Sequence, residues 1–205
     1  MWYDVFSLFY DGALERLYRE ARAAAVDALQ VTPGSVVVDV ACGTGQNFVP
    51  LKPALGDGAI VGVDRSKGML KRARRRVEKA GWTNVHLVET DIHDFDANHL
   101  EGRCGRSSAD FVLCALALTV IPDWEAAFHR TFDLLRRGGR YAIFDAYAEK
   151  RIFQTWSTEL VSGGDMSRQV WRPLETATED FEMTYLPGSP RVFGGRLFVA
   201  TGTKS

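Results

Sequence analysis

Between Ser35 and Tyr147, short apolar runs alternate with amphipathic ones. Ser35–Ala41 (SVVVDVA) is a β-branched run ending at a glycine-rich turn, which predicts a strand. Gln46–Leu55 predicts a short helix and Ala59–Asp64 (AIVGVD) a second strand. Ser66 then stands as N-cap to a helix whose Met69, Leu70, Ala73 and Val77 share one side. Val85–Glu89 and Ala109–Ala115 predict the third and fourth strands. Asp123 is placed as N-cap of a helix running to Arg137, with Arg136 and Arg137 in its last turn and Gly138-Gly139 as its stop. Arg140–Tyr147 predicts the fifth strand.

Before this block, Trp2, Phe6, Phe9, Ala13, Leu17, Ala21, Ala24 and Ala28 fall at helical spacing, with Asp4, Asp11, Glu15, Arg19 and Arg22 on the other side. Gly12 is expected to divide that run into two helices, and Pro33-Gly34 to close it as a turn. After Ala148 the pattern weakens. Lys150–Val161 and Met166–Ala177 read as helices, then Phe181–Leu186 and Arg196–Thr201 as strands. These last two flank a turn holding Pro187, Gly188, Pro190 and Gly194-Gly195, and with no helix between them they should pair antiparallel.

Strands that alternate with helices and are almost wholly apolar belong in a parallel sheet covered on both faces. With right-handed crossovers, the expected fold class is α/β, a doubly wound open sheet. Residues 1–205 suit one domain. Within it, 1–30 is a helical lid or packing segment, 35–147 the core around the glycine turn, and 148–205 the remaining helices and terminal hairpin.

Composition changes this picture little. A formal net charge of -1 implies no global attraction to nucleic acid or to an anionic membrane. The three cysteines, Cys42, Cys104 and Cys114, lack metal-site spacing and are odd in number, so neither a zinc site nor a disulfide framework is expected. No stretch nears the ~20 apolar residues of a spanning helix, and Asp4 and Asp11 interrupt any leader-like run, so a cytoplasmic protein is expected. The helix over 65–79 is strongly basic; a solvated outer face is preferred to an RNA or anionic-lipid patch, though peripheral membrane contact stays compatible with it. His93 lies beside the third-strand loop, where an ordinary loop histidine is preferred to a catalytic base.

The chemistry concentrates at Asp39-Val-Ala-Cys-Gly-Thr-Gly45, between a strand and a helix. Glycines there let backbone approach a ligand that a Cβ would exclude, and the helix start offers unpaired N–H groups. A tight turn with no ligand is the rival reading. Asp64 ends the second strand, where an acid can accept hydrogen bonds from both hydroxyls of a ribose. NAD-binding folds share that acid, but their GxGxxG pattern is absent here, since Gly45 is followed by Gln46-Asn47-Phe48.

VVVDVACGTGQN, GVDRSKGML, VETDIHDF, ADFVLCALALTVIPDW and LLRRGGRYAIFD, in this order over Val36–Asp145, resemble the motifs of class I S-adenosylmethionine-dependent methyltransferases. The terminal strand pair resembles that family's reversed last strand, and the group closest in kind includes ubiquinone-biosynthesis and phosphatidylethanolamine N-methyltransferases. The resemblance implies a mostly parallel seven-stranded sheet with a reversed last strand, and S-adenosylmethionine as cofactor. It implies that Asp39 and the backbone of Ala41, Gly43, Thr44 and Gly45 hold the methionine portion, and that Asp64 holds the ribose. Arg65 and Met69 would pack on the adenine, Asp91 would accept from its amino group, and Ile92 would lie beside it. Ala41 departs from the family, which usually has glycine there.

The acceptor side falls to Leu116–Val120, Asp145–Tyr147 and the aromatic terminus. The Asn/Asp-Pro-Pro-Tyr/Phe motif of methyltransferases acting on DNA adenine or protein glutamine is absent, so no nucleic-acid partner is expected and the acceptor is taken as a small molecule or lipid headgroup. Asp145 and Tyr147 sit two apart on one strand face and suit a cationic amine, with Tyr10 as a third candidate and Arg168 and Arg172 as phosphate contacts. Oxygen or carbon methylation, and a non-catalytic cofactor-binding module, are the alternatives.

Overall fold

The β-branched run Val36–Val40 forms β1, an interior strand of a seven-stranded sheet, with every residue buried. In this computed structural model the protein is described over residues 18–150, 152, 155–156, 159–160, 163–186 and 195–205. The aromatic segment Trp2–Tyr10, the break expected at Gly12 and the turn residues Pro187, Gly188, Pro190 and Gly194 lie outside them.

The first described helix, α1, covers residues 18–29. Then follow α2 (Phe48–Leu55), β2 (Ala59–Asp64), α3 (Lys67–Ala80), β3 (Val85–Glu89), α4 (Ala97–Cys104), β4 (Ala109–Ala115), α5 (Trp124–Leu134) and β5 (Leu135–Tyr147). The chain continues through α6 (Arg172–Ala177), β6 (Glu182–Tyr185) and β7 (Arg196–Thr203). The sheet order is β3-β2-β1-β4-β5-β7-β6. β1, β2, β3, β4 and β5 pair in parallel, while β7 runs antiparallel to both β5 and β6. The doubly wound sheet with one reversed strand is therefore present.

Alternate strand positions feed two cores. Val36, Val38, Val40, Tyr141 and Ile143 join Leu100, Phe128 and Leu174, the side of α4, α5 and α6. Val37, Ala142 and Phe144 join Tyr18, Leu29, Leu51 and Leu70, the side of α1, α2 and α3. Ser66 caps α3 as expected, its hydroxyl accepting from the Met69 N–H at 3.3 Å. Among the described residues, no helix is long and apolar enough to cross a membrane.

Several expectations need correction. The helix expected to reach Arg137 stops at Leu134, and Arg136 and Arg137 already belong to β5. Arg136 Nε instead donates to Asp110 at 2.6 Å, and Asp110 also accepts from the Val36 N–H at 2.9 Å. Gly138 and Gly139 do not end a helix. They lie where the β4–β5 register slips between Ala109/Leu135 and Phe111/Arg140, and Gly138 takes φ 70. Asp123 occupies the N-cap position of α5, but its side chain makes no capping bond. Helix α4 was not expected at all, although Asp96 caps it through the His99 N–H and Gly105 ends it in a left-handed turn.

A further correction concerns α1. Its buried residues are Tyr18, Arg22, Ala25, Val26 and Leu29, a stripe rotated by one position from the expected Leu17, Ala21, Ala24 and Ala28. Arg22, expected on the polar side, is only 7% exposed.

Candidate functional site

The strand order reverses between β1 and β4, and in an open α/β sheet a crevice forms there at the carboxyl ends of the strands. The turn 41–47 leaves β1 into that crevice. Ala41, Gly43 and Gly45 have φ of 49, 56 and 75, so three residues of five occupy the left-handed region. The Cys42 N–H donates to the Val63 carbonyl at 2.9 Å and the Gly45 N–H to the Cys42 carbonyl at 3.0 Å, tying the turn to β2 and to itself.

The two glycines differ in purpose. A Cβ on Gly45 would collide with the Phe48 ring, which closes the turn against α2. A Cβ on Gly43 would meet nothing within 4 Å, so at Gly43 the backbone is open to a ligand.

Asp39 faces the α1–α2 side and is fully buried. Its Oδ1 accepts from Asn47 Nδ2 at 2.8 Å, and Asn47 Oδ1 in turn accepts from Arg22 Nη1 at 2.8 Å. The other oxygen, Oδ2, has no hydrogen-bond partner, and neither has Arg22 Nε. Burial pushes the Asp39 carboxyl up to about 7, against the hydrogen bond from Asn47 and the charge of Arg22. A buried acid with one orphaned oxygen beside a glycine turn is a site built for a hydrogen-bond donor or a cation. Arg22 and Asn47 were not singled out from the sequence. Asn47 stands in the turn motif itself, and Arg22 falls at i+4 from Tyr18, the buried spacing that the one-position rotation of α1 concealed.

Asp64 ends β2 and braces the turn from the other side. Its Oδ2 accepts from the Gly43 N–H and its Oδ1 from the Ser66 N–H, both at 2.8 Å. Burial raises its pKa, with those two main-chain donors pulling the other way. Thr44 and Met69 are buried and Arg65 is exposed. Past β3, Asp91 Oδ1 accepts from the His93 N–H at 3.1 Å and lies 2.6 Å from His93 Nδ1, while Arg65 Nη1 is 3.6 Å from Oδ2. Ile92 is buried in the core on the α4–α5 side.

Past β4, Leu116 takes φ 56, an uncommon state for a leucine that costs roughly 1–2 kcal/mol. Asp145 and Tyr147 do share a face of β5, but they do different things. Asp145 is 1% exposed and holds the loop after β4, accepting from the Thr119 hydroxyl at 2.8 Å, the Thr119 N–H at 3.3 Å and the Ala146 N–H at 2.8 Å. Burial pushes its carboxyl up to about 6, against those bonds. Tyr147 is half-buried, edge-on to Trp171 with ring centroids 4.8 Å apart. Arg168 Nη1 donates to the carbonyls of Leu118, Thr119 and Ile121 at 3.3, 3.3 and 2.7 Å, and Arg172 binds Gln169 and Glu175. The guanidinium groups expected to meet a phosphate thus serve the protein's own loop and helix. Tyr10 lies outside the described residues.

Residues 37–139 match the family described as Methyltransferase domain. A demethylmenaquinone methyltransferase of Listeria welshimeri is 28% identical over 131 residues, 63% of this chain and 52% of that protein. The chain therefore spans about half the length of that curated relative. Among solved structures, phosphoethanolamine N-methyltransferase 2 of Haemonchus contortus, in complex with phosphomonomethylethanolamine and S-adenosylhomocysteine, superposes with a TM-score of 0.75 at 14% identity, covering 98% of this chain and 57% of that one. Geranyl diphosphate C-methyltransferase of Streptomyces coelicolor A3(2) gives 0.73 at 15% identity, covering 93% and 80%. At these identities the structural likeness is one of fold.

Proposed function

Since the chain belongs to the methyltransferase-domain family, we propose that it transfers a methyl group from S-adenosylmethionine to a small-molecule acceptor. The observation that carries this reading is the open backbone at Gly43 between two acids, Asp39 with an orphaned buried oxygen and Asp64 at the tip of β2. The donor set fits the cofactor's chemistry. Asp39 Oδ2 suits the ammonium of its methionine portion, the backbone of Ala41, Gly43, Thr44 and Gly45 would line that portion, and Asp64 is chemically suited to ribose hydroxyls. Arg65, Met69 and Ile92 would flank the adenine, and Asp91 would accept from its amino group.

When bound, the cofactor supplies a methyl group on a sulfonium, already an electrophile. What is left to the protein is to align an acceptor lone pair and to exclude water. The loop after β4, held by Asp145, Thr119 and Arg168, leaves the carboxyl end of a strand at the switch point and would form one wall of the crevice where that alignment would occur.

For the acceptor we favour an amine. The aromatic pair Tyr147 and Trp171 at the end of β5 suits a cationic amine by cation–π attraction, and one fold neighbour is named for N-methylation of phosphoethanolamine. Asp145 is better read as a positioning group than as an amine contact, because Thr119 and Ala146 engage both its oxygens. An oxygen or carbon acceptor is the second reading, favoured by the engagement of both Asp145 oxygens within the protein and by the C-methylating neighbour. Incubation with methyl-labelled S-adenosylmethionine and a panel of amines, phenols and enolisable ketones tests both readings. Label in amines supports the first, label confined to oxygen or carbon acceptors the second, and cofactor binding without turnover would identify a non-catalytic binding module.

A further inference from the structure

His93 stands in a loop with both ring nitrogens engaged. Nδ1 is 2.6 Å from Asp91 Oδ1, and Nε2 is 2.9 Å from the main-chain carbonyl of Asp123. A carboxylate and a carbonyl can only accept. Both contacts are hydrogen bonds only when each ring nitrogen carries a hydrogen, and that is the imidazolium ion.

We infer that His93 is a cationic positioning residue, a latch that fixes Asp91 and ties the loop after β3 to the start of α5. The latch takes up Asp91 Oδ1 twice, once through the His93 N–H at 3.1 Å and once through the ring, and leaves Oδ2 as the oxygen directed to other donors. Its far end holds Asp123, the residue that opens α5 and follows the loop 116–121. The two loops that would meet the adenine and the acceptor are therefore joined through one titratable ring.

The charged groups around the ring act in one direction. Asp91 faces it from its own loop, Asp123 from the start of α5, and Arg65 lies beyond Asp91, at its other oxygen. The Asp123 carbonyl and then Asp91 raise the pKa of His93, and the histidine's hydrogen bonds lower that of Asp91. For a histidine raised by its partners, the stability gained is fully present below its ordinary pKa and is lost as pH rises through the folded value.

The role toward Asp91 rests on the cofactor reading above, and the test separates the two. Nitrogen NMR of the ligand-free protein should show both His93 ring nitrogens protonated at neutral pH, with a titration above the ordinary value of about 6.5. Calorimetry with S-adenosylhomocysteine between pH 6 and 9 should show wild-type affinity falling about tenfold as His93 loses its proton, the size expected for one charge-assisted hydrogen bond. His93→Gln should bind weakly throughout and lack that step. Asp39 titrates in the same range but strengthens binding of the ligand's ammonium as it ionises, so the difference between the two proteins isolates the histidine. A His93 that is neutral at pH 7 would overturn the latch whatever the ligand does. Equal affinity and pH profile in His93→Gln would overturn the positioning role. A wild-type protein that binds no S-adenosylhomocysteine would overturn the cofactor reading and that role with it, leaving the latch to stand or fall on the titration.

Discussion

Asp39 is where burial and function oppose each other. An isolated carboxyl prefers to ionise near pH 4, but this one is fully buried with one oxygen unpartnered, and its pKa rises to about 7. Between those values the folded protein holds a proton that the unfolded chain has lost, so stability falls as pH rises through that window and is flat above it. Asp39→Asn should remove that slope, up to about 1.4 kcal/mol per pH unit, in urea unfolding of the ligand-free protein from pH 4 to 8. A variant as pH-sensitive as wild type would show that water or a rearranged Arg22 already satisfies the acid. Two positions away, Ala41 holds φ 49, where the family usually has glycine. Ala41→Gly relieves the Cβ strain but loosens the unfolded chain, so a net gain of up to about 1 kcal/mol is expected from thermal unfolding. The site's acids were legible because a glycine turn and strand-end acids leave a local signature. The groups that tune them were not. Arg22 reaches Asp39 through Asn47 from a helix outside the motif, and His93 gains its second partner from Asp123, thirty residues along the chain.

Among the elements, the strands with β-branched or apolar runs were read almost to the residue, because each is buried on both faces and polarity marks its ends. Elements fixed by distant partners were misread. Arg136 and Arg137 suit the last turn of a helix, yet pairing of Leu135 with Ala109 and the Arg136–Asp110 bond draw them into β5. Helix α4 buries only Leu100, so it has no apolar stripe, and only its caps could have announced it. Asp110 is the pin of this region, joining β1, β4 and β5 through Val36, its own strand and Arg136, with Arg106 at 3.3 Å. Asp110→Ala leaves the Val36 N–H without its acceptor and two arginines without their anion. The cost should be about 2–4 kcal/mol in chemical unfolding, far above that of an exposed ion pair. A loss under ~0.5 kcal/mol would mean that the strand ends are held by the sheet alone.

At the scale of the whole molecule, the loops leaving β1, β2, β3 and β4 converge on one edge of the sheet, whose doubly wound class was legible because apolar strands alternating with helices admit few topologies. The part beyond Ala148 was less so, its weak helical pattern giving way to segments fixed by individual bonds such as Met166 N–H to Glu159 and Arg168 to the carbonyls of 118, 119 and 121. A ligand spanning that edge as proposed would link Asp39, Gly43, Asp64 and Asp91 and bind only the folded chain, so it should raise the unfolding temperature by mass action. S-adenosylhomocysteine at a hundredfold excess over its Kd adds about 2.7 kcal/mol, a rise of roughly 5–10 °C for a chain of this size. NAD at the same concentration should give none, since Phe48 stands where the dinucleotide fingerprint has its third glycine, the one that lets the helix pack closely on the strand. Asp64→Ala should act twice. Its ligand-free form melts lower, because the Gly43 and Ser66 N–H groups lose their acceptor, and its ligand-induced rise shrinks because two charge-assisted bonds are gone, about 1.5–3 kcal/mol each. Hydrogen exchange should place the wild-type protection at residues 41–47, 64–66 and 91–93. An undiminished temperature rise in Asp64→Ala, or protection confined to other loops, would remove Asp64 from the ribose and move the ligand off this edge.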